Sequence, residues 1–183
     1  MPAGRDRSLT WTAPLLVAMV VTLALGAGVG EAGTRMIVRA TARTSALVLC
    51  LALSSWAIEA LSRRRVGLIR SLAVSHGLHL VAVLWLAALT AGANLAERAE
   101  PVAVIGGVLA YAVIFAGAVW PRHPAVEWGL LWVAVSFLFA YAPRAARSPW
   151  LYGPAVGALL LAVALRIAGA FIRRAPLQED VAA

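Results

Sequence analysis

Residues 70–89 read RSLAVSHGLHLVAVLWLAAL, a predominantly apolar run that carries two of the chain's three histidines, His76 and His79. A hydrocarbon core of roughly 30 Å needs about 20 apolar residues at a helical rise of about 1.5 Å each. The run is therefore long enough to cross a bilayer as a helix, and it places His79 about 13 Å beyond Arg70, near mid-depth. Ionisable side chains are costly at that depth and by default mark a functional site.

The rest of the composition agrees with a membrane setting. Of the 183 residues, 62% are hydrophobic and only 13% are charged, against about 25% charged in a soluble domain. Mean hydropathy is +0.86. Runs of this length point to helices rather than a barrel, because a helix satisfies its own backbone groups in lipid. The formal charge is +8, and all sixteen basic residues are arginine. These arginines stand beside apolar runs, where lipid headgroups and the orientation rule account for them. No polar segment interleaves basic and aromatic residues, so nucleic acid is not an expected partner. Cys50 is the single cysteine, which excludes a disulfide framework and a thiolate metal site within the chain. The opening MPAGRDR and the apolar stretch after it resemble a signal peptide in outline, and the expectation is an uncleaved first helix.

Six apolar runs can be counted, at about 13–29, 40–60, 69–91, 102–120, 126–142 and 152–172. They predict a single all-α integral membrane domain, a bundle of six transmembrane helices. Gly26, Gly28, Gly30 and Gly33 punctuate the first break and Arg63, Arg64 and Arg65 the second. Glu97, Arg98, Glu100 and Pro101 mark the third break, and Pro121 and Pro124 the fourth. Pro143, Pro149 and Pro154 are expected to divide the fifth run from the sixth. Arginines in alternate loops set the orientation. Arg5, Arg7, Arg63, Arg64, Arg65, Arg70, Arg122, Arg173 and Arg174 share one side, against Arg35, Arg39, Arg43, Arg98, Arg144 and Arg147. The excess favours an inner-membrane protein with both termini in the cytoplasm.

His76 and His79 are three apart, so on a helix they project within about 60° of each other and can both face the bundle interior. A metal or a haem iron is the chemistry such a pair suits best, with His79 and His76 as candidate ligands. Two imidazoles on one helix cannot grip one iron from opposite faces, so one would ligate and the other would serve nearby. His123, in PRHPAVEW at 121–128, is the remaining histidine, and a His76–His123 pair is geometrically allowed if both face the cytoplasmic side. A zinc site of two histidines and a carboxylate is less favoured, since Glu59 and Glu127 stand at the ends of runs. Arg43 and Arg166, each at an apolar run, are candidates to grip a buried anion such as a haem propionate. No phosphate loop, nucleophile elbow or carboxylate pair is visible.

RATARTSALVLCLALSSW at 39–56 resembles the second helix of ferric reductase-like transmembrane domains. The arginine-rich loop and histidine helix RRRVGLIRSLAVSHGLHL at 63–80 follow as in that family, and GGVLAYAVIFAGAVW at 106–120 is similar to its next helix. The resemblance covers roughly residues 35–172 and rests largely on apolar residues. It implies a six-helix haem b domain that carries electrons through the membrane, as in ferric reductases, the core of NADPH oxidases and the haem subunit of methionine sulfoxide reductase. It further implies His79 as the axial ligand and His76 as its companion. A separate redox protein or a membrane quinone would donate electrons, since no flavin or NAD(P)H domain accompanies the helices. The chain departs from the family in PAVEWGLLWVAVSF at 124–137, where Val126 stands about where a histidine is expected. The second axial position then falls to His123, to another group, or to none. The alternative expectation is a haem-free multi-pass membrane protein with a structural or partner-binding role.

Overall fold

The computed structural model describes the backbone of residues 7–90 and 101–172, and side chains over 14–90 and 105–171. Among the described residues six long helices form: α1 Arg7–Ala27, α2 Glu31–Ser54, α3 Arg65–Thr90, α4 Pro101–Val119, α5 Pro124–Arg147 and α6 Pro149–Ile172. One helical turn, Glu59–Ser62, lies between α2 and α3. The chain is all-α. The helices α2, α3 and α5 and the Pro149–Phe171 stretch of α6 are each long and apolar enough to cross a membrane. The described apolar parts of α1 and α4, Pro14–Ala27 and Ile105–Val119, are shorter.

Helix α2 is the central element, packed most extensively on α3 and also against α1, α5 and α6. With the contacts α3–α4, α4–α5 and α5–α6, helices α2 to α6 close into a ring of five, with α1 outside against α2 and α3. Helices α2 and α3 run antiparallel in a register fixed by two polar contacts one turn apart. Thr41 Oγ1 meets His79 Nδ1 at 3.0 Å, and Ser45 Oγ donates to Ser75 Oγ at 3.2 Å. In lipid, helix association relies on close packing and interhelical hydrogen bonds more than on apolar burial, and this seam supplies both.

The half of the bundle nearest Arg65 is filled by aliphatic side chains. Leu49, Leu53, Ile69, Leu72, Leu130, Val133 and Leu159 are all fully buried. At its end the chain is turned by a clamp: the Arg65 guanidinium donates to the Ser55 carbonyl at 3.1 Å and to Ser55 Oγ at 3.2 Å. The same guanidinium lies 4.2 Å from the centroid of the buried Trp56 ring. Gly169 on α6 packs directly on the Trp56 carbonyl, so that a methyl group there would overlap backbone oxygen. Gly169→Ala is expected to destabilise the bundle by about 1–3 kcal/mol, read as a lowered thermal midpoint in mild detergent.

Several expected boundaries are corrected. The second helix spans Glu31–Ser54 rather than 40–60, so Arg35 and Arg39 sit on the same helix as Arg43, not in a loop. Only Gly28, Val29 and Gly30 separate α1 from α2. Gly28 makes the turn at φ +78°, and a Cβ on Gly33 would overlap the carbonyls of Ala27 and Gly28. Arg35 is held by Glu31 one turn earlier, at 2.6 Å, which helps the charged segment stay helical. Pro143 does not end the fifth helix, which runs on to Arg147, and Ser148 alone separates it from α6. Pro149 opens α6 at a position where its missing N–H costs nothing, and Pro154 lies inside that helix. Membrane helices tolerate such prolines where neighbours satisfy the freed carbonyls. Arg5, Ala91, Glu97, Arg98, Glu100, Arg173 and Arg174 lie outside the described residues, as do the side chains of Arg7 and Pro101.

Candidate functional site

The ring of five helices encloses a cavity of about 530 Å³, on the side of the aliphatic core away from Arg65. Helix α3 contributes His76 and His79 and α4 contributes Tyr111. From α5 come Phe137, Tyr141 and Arg144, from α6 Tyr152, and from α2 Arg35, Arg39 and Arg43. Both candidate histidines thus face one space, as their three-residue spacing predicts, with ring centroids 5.5 Å apart. The His76 ring also lies 4.4 Å from Tyr111 and 5.6 Å from Phe137.

The contact between Thr41 and His79 positions the imidazole ring. Thr41 Oγ1 lies 3.0 Å from His79 Nδ1, and it is also 2.8 Å from the Ile37 carbonyl and 3.1 Å from the Val38 carbonyl. A hydrogen bond from the far ring nitrogen is how proteins set the tautomer and orientation of a metal-ligating histidine.

His76 is 6% exposed and Tyr141 5%, and both line the cavity. Among the described residues, neither His76 Nδ1 nor the Tyr141 hydroxyl has a hydrogen-bond partner. A buried polar group left unpaired costs about 1–3 kcal/mol, so two in one cavity point to a polar occupant.

Arg43 stands close to the pair. Through the α2–α3 register it is level with Gly77, and its guanidinium lies 5.7 Å from the Tyr152 ring centroid. Arg39 and Arg144, which were assigned to loops on sequence, line the same cavity. The signal that finds the α2 arginines is their spacing: Arg35, Arg39 and Arg43 recur every four residues, which is one face of a helix.

His123 is not brought to the site. It caps α5, accepting from the Ala125 N–H at 3.2 Å, and it lines a separate, mainly apolar cavity with Trp120 and Val126. Phe137, which touches His76, stands about 21 Å of helix rise further along α5, so the expected His76–His123 pair does not form. Val126 lies at the same end, 5% exposed in the aliphatic core, so a histidine there would not face His76 or His79 either.

Arg166 is elsewhere too. It is buried at the Arg65 end, 4.4 Å from the Trp56 ring centroid and 3.6 Å from Glu127, which also lies 4.0 Å from Arg65. Among the described residues, no third His, Cys, Asp or Glu joins His76 and His79 in a metal-binding group.

No protein-family model, no curated protein and no solved structure matches this chain.

Proposed function

We propose that this chain is a six-span inner-membrane protein of ferric reductase-like type that holds haem b beside His79 and serves as an electron-transfer component. The observation that supports this most strongly is the His79 imidazole, held by Thr41 at 3.0 Å from its Nδ1 on the wall of the cavity it shares with His76. Bound haem would supply one-electron redox chemistry at a potential tuned by its axial ligand and burial. Thr41 orients the ligand's ring. Tyr111 and Phe137 give the cavity flat apolar walls, and Arg43 offers a guanidinium to a carboxylate. His76 projects from the same helix face as His79, so it acts as a neighbour rather than as the opposite ligand. Electrons would come from a separate redox protein or a membrane quinone.

Orientation follows from Arg63, Arg64 and Arg122. These are the arginines outside the long helices among the described residues, and all belong to the Arg65 end. The positive-inside rule turns that end, and with it both termini, toward the cytoplasm. The aliphatic half then faces the cytoplasm and the cavity opens toward the opposite side.

The test is an absorption spectrum of protein purified in mild detergent with haem supplied during expression, before and after dithionite. A Soret band with sharp reduced α and β bands is expected, and a featureless spectrum excludes the proposal. A second reading, a haem-free membrane protein with a structural or partner-binding role, is favoured by Val126. That residue is sealed in the core where the resembling family carries a histidine. It predicts that His79→Ala alters stability alone.

A further inference from the structure

The main cavity holds two polar atoms with no partner among the described residues, His76 Nδ1 on α3 and the Tyr141 hydroxyl on α5. Both residues are more than nine-tenths buried, so bulk solvent does not serve either atom. Their rings flank Phe137, whose centroid lies 5.6 Å from that of His76 and 6.0 Å from that of Tyr141. A flat ring laid along Phe137 therefore has a polar group at hand on each of two helices. Around them Val83, Leu86, Gly107 and Ala110 keep the lining apolar. A Cβ on Gly107 would meet nothing within 4 Å among the described residues, so α4 leaves room there for a substituent on such a ring.

The chemistry of the two groups narrows the occupant. A phenol can donate or accept, and an imidazole nitrogen does either according to its tautomer. Each can therefore follow a ligand oxygen that changes from acceptor to donor, and a carbonyl that becomes a hydroxyl on reduction is such an oxygen. We infer that the cavity binds the headgroup of a membrane quinone, its ring against Phe137 and its oxygens hydrogen-bonded to His76 Nδ1 and Tyr141 Oη. The same two groups hold the oxidised and the reduced form. This deepens the function proposed above by giving a place to the quinone named there, and it rests on that reading of the cavity as a redox site. It uses none of the cavity's arginines and needs no iron.

The test uses the full chain as purified in mild detergent, with its absorption spectrum recorded on the same sample. Duroquinone, its hydroquinone and the parent hydrocarbon durene, which has the ring and methyl groups but no oxygen, are titrated without air. Affinity is read from the rise in thermal midpoint with ligand concentration. Both quinone forms are expected to bind roughly tenfold or more tightly than durene, since durene leaves the two polar atoms unpaired. Tyr141→Phe keeps the ring that packs on Phe137 and Tyr152, so the fold is expected to survive. That variant is expected to lose about tenfold in affinity for both quinone forms and to bind durene unchanged. Equal affinity of the unaltered protein for duroquinone and durene, or failure of either quinone form to bind, overturns the inference without reliance on any variant. A phenylalanine variant that binds duroquinone as tightly as the unaltered protein also overturns it. Quinone binding with a featureless spectrum would sink the haem proposal and keep this site. A haem spectrum without quinone binding would do the reverse.

Discussion

His79→Ala is expected to abolish the reduced b-type spectrum, while His76→Ala keeps a Soret band with a shifted potential. The asymmetry comes from what holds each ring. His79 is oriented by Thr41, whose Oγ1 lies 3.0 Å from its Nδ1. His76 has no such orienting partner, since its Nδ1 is unpaired among the described residues and its ring is held by Tyr111 and Phe137. Thr41→Val keeps the shape but removes the hydroxyl that orients the ring. Loss of an outer hydrogen-bonding partner of this kind costs about 10–100-fold in affinity at metal sites. Haemin titration of the three variants checks the order: the alanine at position 79 weakest, the valine at 41 intermediate, the alanine at 76 nearest the unaltered protein. Equal retention of haem in the His79 and His76 variants would remove the special status of His79.

Glu127→Ala is expected to lower the stability of the bundle at the Arg65 end. Its carboxylate stands between two guanidiniums, 3.6 Å from that of Arg166 and 4.0 Å from that of Arg65, and both cations also lie against Trp56. Removing the carboxylate leaves two like charges facing each other around one indole. Removing one partner of a fully buried pair costs about 3–5 kcal/mol; the 30% exposure of Glu127 brings the expectation down to about 2–3 kcal/mol. Thermal unfolding in detergent reads this directly. The double variant Glu127→Ala with Arg166→Met is expected to recover part of the loss, because it withdraws one of the two like charges along with the carboxylate between them. A midpoint unmoved by Glu127→Ala would show that the cluster contributes nothing to stability.

The helices were legible in the sequence because apolar length alone marks a spanning segment, and the runs around 69–91 and 102–120 fall within a few residues of α3 and α4. The start of α2 was not. Arg35, Arg39 and Arg43 lower the hydropathy of a segment that is helical all the same, because Glu31 balances one charge and a cavity receives the others. Pro143 misled in the same way, since a proline that would end a helix in water is carried within α5. The convergence of His76 and His79 on one space followed from their spacing. The partners that define that space did not, for Thr41, Tyr111 and Tyr141 come from three other helices and carry no local signal. Arg166 shows the reverse failure. It resembles Arg43 as a lone cation in an apolar run, yet Glu127 and Trp56 occupy it at the far end of the bundle.

The two polar contacts along α2 and α3 work as a key. Thr41 meets His79 and Ser45 meets Ser75, so sliding one helix by a single residue loses both contacts at once. The depth of the imidazole is therefore set by this helix pair alone. The walls that α4, α5 and α6 contribute can change in sequence, altering what the cavity admits, while the imidazole stays at the same height.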